Sequence, residues 1–335
     1  MEFRTIGDLA RSLQFQRISA QQKSAVERLS VELARGTVSD PLRVPGTTAG
    51  RLSATEHRLS QISALRGTLA ETATRLETQR LSLARLDQAA ASAGPALLSA
   101  GSLGNAAMVR AAADSAHQAL AVAVSSLNTT VAGQAIFAGN RPAGPAVISA
   151  QDMLSAVEAA VAGLSDPEDI ATAVADWFAP GGDFDAVAWL GVSPGSGLRL
   201  GPGENDLSAP PPDAADPRLR DTLAGLAQAA LLTRPLPLDA AAQQALALSA
   251  GARLQAAAES RLDAGASLGR LEADVAAAAS RLAAEASVLE IERAEMTGAD
   301  PYATASALEE ARGQLDRVYL LTARLSRLSL AEYLR

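Results

Sequence analysis

Asp300-Pro301-Tyr302-Ala303-Thr304-Ala305-Ser306-Ala307-Leu308 opens a segment that continues through Leu315, Val318, Tyr319, Leu321, Leu325, Leu328, Leu330 and Leu334. Its apolar residues recur at three- and four-residue steps, which places them on one side of an α-helix. Asp300 is suited to cap that helix, and Pro301 to occupy its first position, where a missing N–H costs nothing. The spacing predicts one amphipathic helix over 299–335, with an apolar stripe that no later segment covers. Such a stripe calls for a partner: the chain's own N-terminal segment, a neighbouring copy, or both.

Composition agrees with a thin helical chain. Of 335 residues, 48% are hydrophobic but only 3% aromatic, and much of the apolar content is alanine. Alanine favours helix yet buries little area, so long slender helices are expected rather than a thick core. The net charge of −8, with Lys23 the single lysine and no long basic run, argues against a nucleic-acid partner. Cysteine is absent, which excludes disulfides, thiolate metal sites and cysteine nucleophiles. The first residues carry no apolar signal-peptide core, and no window has the length of a membrane span, so no membrane partner is expected.

Hydrophobic spacing then divides the chain. Residues 5–35 read as a helix, with Ile6, Leu9 and Leu13 on one stripe and Val26, Leu29 and Leu33 further along, stopped at Gly36. A second helix is expected from about Arg51 to Ala91, where Ile62, Leu69, Leu76, Leu83 and Ala90 stand seven apart. That step is the mark of a coiled-coil seam. Gly94-Pro95 is expected to break it, and another helix to span Asn105 to Val131. The seven-residue step returns at Leu268, Val275, Leu282, Leu289 and Met296, inside a helix from about Asp239 to Thr297.

Between these halves, Pro and Gly crowd the chain and both tryptophans, Trp177 and Trp189, occur. Short helices are expected near 150–163, 167–178 and 216–232. Short strands are expected at Ala186–Val192 and Leu198–Leu200. The fold class is therefore mainly α: a long antiparallel coiled-coil-like helical stem formed by both chain ends, with a small mixed α/β domain inserted in the middle. The expected divisions are 1–139 (with a terminal assembly helix in 1–40), 140–237 for the insert, and 238–335. The terminal helices are expected to order fully only when neighbours cover them.

No catalytic constellation emerges. His57 and His117 lie on separate helical segments among polar neighbours and read as surface or seam residues. Gly201-Pro202-Gly203-Glu204-Asn205-Asp206 lacks the Gly-Lys-Ser/Thr ending of a phosphate loop. Asp183 and Asp185 lack the further ligands of a calcium loop. No enzyme, metal or cofactor is expected. A ligand-binding or enzymatic insert remains an alternative, and a pocket with convergent polar groups around Trp177 and Trp189 would be its mark.

Three segments carry a family resemblance. Tyr319-Leu320-Leu321-Thr322-Ala323-Arg324-Leu325-Ser326-Arg327-Leu328-Ser329-Leu330, with Asp300–Leu308 before it, resembles the leucine–serine-rich ending of the flagellin superfamily. Leu127-Asn128-Thr129-Thr130-Val131-Ala132-Gly133-Gln134-Ala135-Ile136-Phe137-Ala138-Gly139 is similar to that superfamily's exit from the first half of its stem. Leu33–Pro41 is similar to its first turn. Residues Leu42–Thr48 depart from the Asp- and Ala-rich stretch usual in the filament subunit, which points to the hook–filament junction branch, hook-associated protein 3; the flagellin filament subunit is the alternative. The resemblance covers roughly 1–140 and 238–335.

It implies a structural part of the bacterial flagellum, extracellular, exported by the type III route without a cleaved signal. The implied partners are neighbouring copies, an adjacent hook-associated protein, a filament-side axial protein and a flagellar export chaperone. The residues expected to meet subunits or chaperone are Ile6, Leu9, Leu13, Leu315, Val318, Tyr319, Leu325, Leu328 and Leu330.

Overall fold

The computed structural model describes the backbone at residues 6–40, 47–141, 143–192 and 210–333, and side chains over 13–40, 49–141, 143–192 and 210–324. The readings at 42–48, 198–200 and 201–206 fall wholly or largely outside these residues. The chain is mainly helical, with a two-stranded sheet. It forms two compact units, one of residues 1–63 with 282–335, the other of residues 64–281. Helices α1 (Ile6–Arg35) and α8 (Pro301–Tyr333) belong to the first unit; the long helices α2 (Thr47–Leu103) and α7 (Ala240–Thr297) contribute to both.

The seven-residue rows are core. Ile62, Leu69, Leu76, Leu83 and Ala90 are all buried, and the row continues to Leu97. On α7, Leu268, Val275 and Leu282 are buried, as are Ala250, Ala257, Ala264, Leu271 and Ala278 on the row three residues further on; Leu289 and Met296 are half-buried. Ion pairs link the two helices in opposite chain directions. In the first unit Arg51 meets Glu292 at 2.6 Å and Arg58 meets Glu285 at 2.6 Å; in the second Asp87 meets Arg261 at 2.8 Å. Each exposed pair contributes little stability, about 0–1 kcal/mol, but together they favour one register and the antiparallel direction.

Arg261 occupies a position of the buried row itself. Its guanidinium reaches Asp87, Thr222 Oγ1 at 3.2 Å and the Leu254 carbonyl at 3.1 Å. Gly94-Pro95 does not end α2, contrary to the sequence expectation. Pro95 lies on the exposed face, while Gly94 is buried where α2 meets α7. A Cβ on Gly251 of α7 would stand 2.8 Å from Leu98 Cγ and 3.0 Å from the Gly94 oxygen. Glycine here permits backbones to approach closely, and the contacts of Leu97 and Ala100 beyond outweigh the loss of one helical hydrogen bond.

In the second unit, α3 (Ala106–Leu127), α4 (Ala150–Ala160), α5 (Pro167–Phe178) and α6 (Pro217–Leu231) fill the sequence between the long helices. α6 is the centre: every residue from Leu219 to Leu231 except Asp221 is buried, and it packs on α3, α4 and α5. Asp-Pro begins three helices in the same way. Asp166, Asp216 and Asp300 each accept backbone N–H bonds from the first turn, with Pro167, Pro217 and Pro301 at the first helical position.

The Leu127–Gly139 segment makes the exit from α3. β1 (Thr130–Val131) and β2 (Gln134–Ala135) form a hairpin, with Ala132 at φ 50° and Gly133 at φ 78° in its turn. Ile136, Phe137 and Ala138 are buried after it. The Asn128 side chain pairs with both backbone groups of Val147, at 2.9 Å each.

Ala186–Val192 is not a strand. Phe184–Ala188 forms a π-helical turn, and only isolated bridges join Trp189 to Val147 and Val192 to Gly139. The turn sets Phe184 against Trp177 and Phe178, with ring centroids 6.0 and 5.5 Å away. Burial of that ring decides the local backbone over the β-propensity of the sequence. Among the described residues of 140–237, the pairing therefore consists of bridges around helices rather than an α/β sheet.

Candidate assembly surface

α1 and α8 come from opposite ends of the chain and are joined where α1 ends and α8 begins. Gly36 closes α1 at φ 69°. Val38 N–H then donates to the Thr297 carbonyl at 2.9 Å, and Ala299 N–H donates to the Gly36 carbonyl at 2.9 Å. The buried Glu32 carboxylate accepts the Ser39 N–H at 3.0 Å and pairs with Arg28 at 3.2 Å. Burial opposes its ionisation, but the Ser39 N–H and the Arg28 guanidinium outweigh that and hold its carboxyl below the usual glutamate range.

From this tie the two helices run antiparallel, with Lys23 Nζ 5.9 Å from the Tyr319 ring. Cover fades along them. On α8, Thr304, Leu308 and Ala311 are buried, whereas Leu315 and Val318 are half-buried. Tyr319, Leu320 and Leu321 are then 45%, 60% and 48% exposed, and Leu13 of α1 is 57% exposed. The cause is geometric: two helices cover one face of each other, and the apolar residues here extend round more than one face.

Of the residues expected to form contacts, Leu13, Leu315, Val318 and Tyr319 are placed on this pair, each exposed or half-buried. Ile6 and Leu9 lie on the backbone of α1, and Leu325, Leu328 and Leu330 on that of α8; their side chains are outside the described residues. Leu320 was not singled out from the sequence, although its 60% exposure is the highest of the three consecutive residues Tyr319–Leu321. It lies off the three-and-four stripe, whose own Tyr319 and Leu321 are also left open.

The surroundings of Trp177 are closed. Trp177, Phe178 and Phe184 are buried against one another, and the Arg220 guanidinium lies 5.1 Å from the Phe184 ring centroid. Arg220 also binds the Asp185 carboxylate and the carbonyls of Ala215 at 2.7 Å and Ala179 at 3.1 Å. Asp185 further accepts the Gly181 N–H at 2.7 Å. Burial opposes its charge, yet the bond from Arg220 and the Gly181 N–H keep the carboxyl below the ordinary aspartate range. Trp189 Nε1 is buried without a hydrogen-bond partner. His57 is exposed and shares a 2.9 Å bond with Gln61; His117 is half-buried on α3. No group of three or more His, Asp or Glu suited to a metal occurs among the described residues.

No protein-family model matches the chain, and no curated protein matches it significantly.

Proposed function

We propose that this protein is a structural axial component of the bacterial flagellum that joins hook to filament. In this reading it is exported by the flagellar type III route and assembles through its N- and C-terminal helices. The observation that carries the reading is the α1–α8 pair. It brings the chain ends together and leaves Leu13 and Tyr319–Leu321 in water, a surface that a neighbouring copy can bury. The segments resembling the flagellin superfamily fall on this pair and on the hairpin leaving α3.

The long helices α2 and α7 form the coiled-coil stem of this proposal. Their buried seven-residue rows and antiparallel ion pairs support it. Before assembly, the Tyr319–Leu321 surface is what an export chaperone shields; afterwards it faces the adjacent hook-associated and filament-side proteins. The closed aromatic cluster around Trp177, with Asp185 committed to Arg220, weighs against a ligand site there.

Immunogold electron microscopy with an antibody against residues 140–237 tests the reading on intact flagella. One cluster of label at the hook–filament boundary is expected. Label along the filament would make this the filament subunit, and absence from flagella would overturn the proposal.

A further inference from the structure

Support along α2 is uneven inside the second unit. From Ser82 to Ala100 eight residues are buried, among them Leu83, Leu86, Ala93 and Leu97. From Ala64 to Thr78 only Leu69 and Leu76 are buried, one residue in every two turns. Neighbours account for the difference. Cover from the hairpin and from the chain before α6 begins where Arg75 reaches Gln134 at 3.4 Å. There too the Gln79 amide donates to the Ile136 and Pro212 carbonyls at 2.7 and 3.3 Å. Before that level, an open groove of about 510 Å³ is lined by α2 and α7 alone, with Ala70, Ala73, Ala276 and Ala279 among its walls. A helix opens most easily where few buried contacts have to break.

The same stretch loosens its own backbone. The hydroxyls of Thr68, Thr72, Thr74 and Thr78 each donate to the carbonyl four residues earlier, at 3.3, 2.9, 3.0 and 2.8 Å. A carbonyl shared between a hydroxyl and the helical N–H is drawn away from the helix axis, which weakens the helix and lets it bend. At 3.6 residues per turn, Thr68 and Thr72 fall on one flank of α2, and Thr74 and Thr78 on the opposite one. The yielding is therefore not confined to one direction. Ser102, by contrast, makes such a bond alone in its part of α2. Gly67 adds backbone freedom without a packing reason, since nothing lies within 4 Å of where its Cβ would stand. Gly265 and Gly269 of α7 have the same open space.

We propose that Ala64–Thr78 of α2 is a flexure built into the second unit, a stretch of helix that bends and opens while Ser82–Ala100 stays closed. Its use is compliance: a bending load is taken up in the thinly covered stretch and spares the packed body beyond it. This device is separate from the terminal helices and does not require the flagellar reading to hold.

The cysteine-free chain permits a direct test at full length, with spin labels at Ala64→Cys and Gln88→Cys, both exposed on α2. A straight helix would separate the two backbone positions by about 36 Å. Double electron–electron resonance is expected to show a broad distance distribution with a tail to shorter separations. Thr68→Val, Thr72→Val, Thr74→Val and Thr78→Val together remove the hydroxyls but keep the branched side chains. That fourfold variant should lose the tail and narrow the distribution about twofold. Amides of 64–78 should exchange about tenfold faster than those of 82–100 in the unaltered chain, and should slow several-fold in the valine variant.

An unaltered chain already as narrow as the valine variant overturns the proposal. Narrowing by alanine at the four positions but not by valine also overturns it, because helix propensity alone would then be the cause. Should the fourfold variant not fold, Thr68→Val with Thr72→Val and, separately, Gly67→Ala carry the same test. Unchanged width in both would overturn the flexure.

Discussion

At the scale of single residues, buried polar groups carry the largest individual effects. Arg220 satisfies Asp185 and several carbonyls from one position inside α6. Arg220→Ala leaves those groups without donors and should lower stability by about 3 kcal/mol, read from denaturant midpoints. The carboxylates around it have opposite pH signs. Asp185 is depressed, so its contribution is present above the unfolded carboxylate range and is lost as pH falls through its folded value. Asp213 is raised, by burial first and then by the charges of Asp216 and Asp185, against the Ala215 N–H and Arg220 that favour its ionisation. Its contribution is therefore present at low pH and lost as pH rises through its folded value. Asp213→Asn retains the acceptor for the Ala215 N–H and removes the charge. Melting temperature should rise at neutral pH, with the gain shrinking as pH falls toward the carboxylate range. An unchanged gain across that range would contradict this sign. These roles are not legible in the sequence, since an Arg in a heptad row or beside Asp-Pro looks like any surface charge until the helices around it are placed.

Among the elements, glycines distinguish packing from propensity. Gly251 sits where a Cβ would press on Leu98 and on the Gly94 backbone, whereas Gly269, on the same helix, has open space around it. Gly251→Ala is expected to cost roughly 1–3 kcal/mol through overpacking. Gly269→Ala should instead stabilise by about 0.5–1 kcal/mol through helix propensity. Equal effects in thermal melts would refute the close approach at Gly94 and Gly251. The sequence located most helices because their apolar spacing and Asp-Pro caps are local signals. It erred at Pro95 and at Ala186–Val192 for one physical reason. A proline on an exposed helical face and a β-prone run beside a buried ring both obey their tertiary surroundings, which no local window contains.

On the scale of the whole molecule, the two units differ in how much each can bury. α6 is buried from Leu219 to Leu231 at every residue but Asp221, while α1 and α8 cover only part of each other. Hydrogen exchange on the free protein should show amides of Ile6–Arg35 and Pro301–Tyr333 exchanging well before those of Pro217–Leu231. Strong protection of both sets would contradict the need for a neighbour at the chain ends. Deleting residues 301–335 should abolish terminal-helix association yet leave residues 64–281 helical, seen by sedimentation and circular dichroism. The sequence by itself determined the long helices, their seven-residue rows and the apolar stripe at 301–335, because periodicity and capping are written in neighbouring residues. Tertiary structure alone decided that α6 is the centre of its unit and that α2 passes through Pro95. It also left Tyr319–Leu321 open, because each of these depends on which distant segments arrive to cover a face.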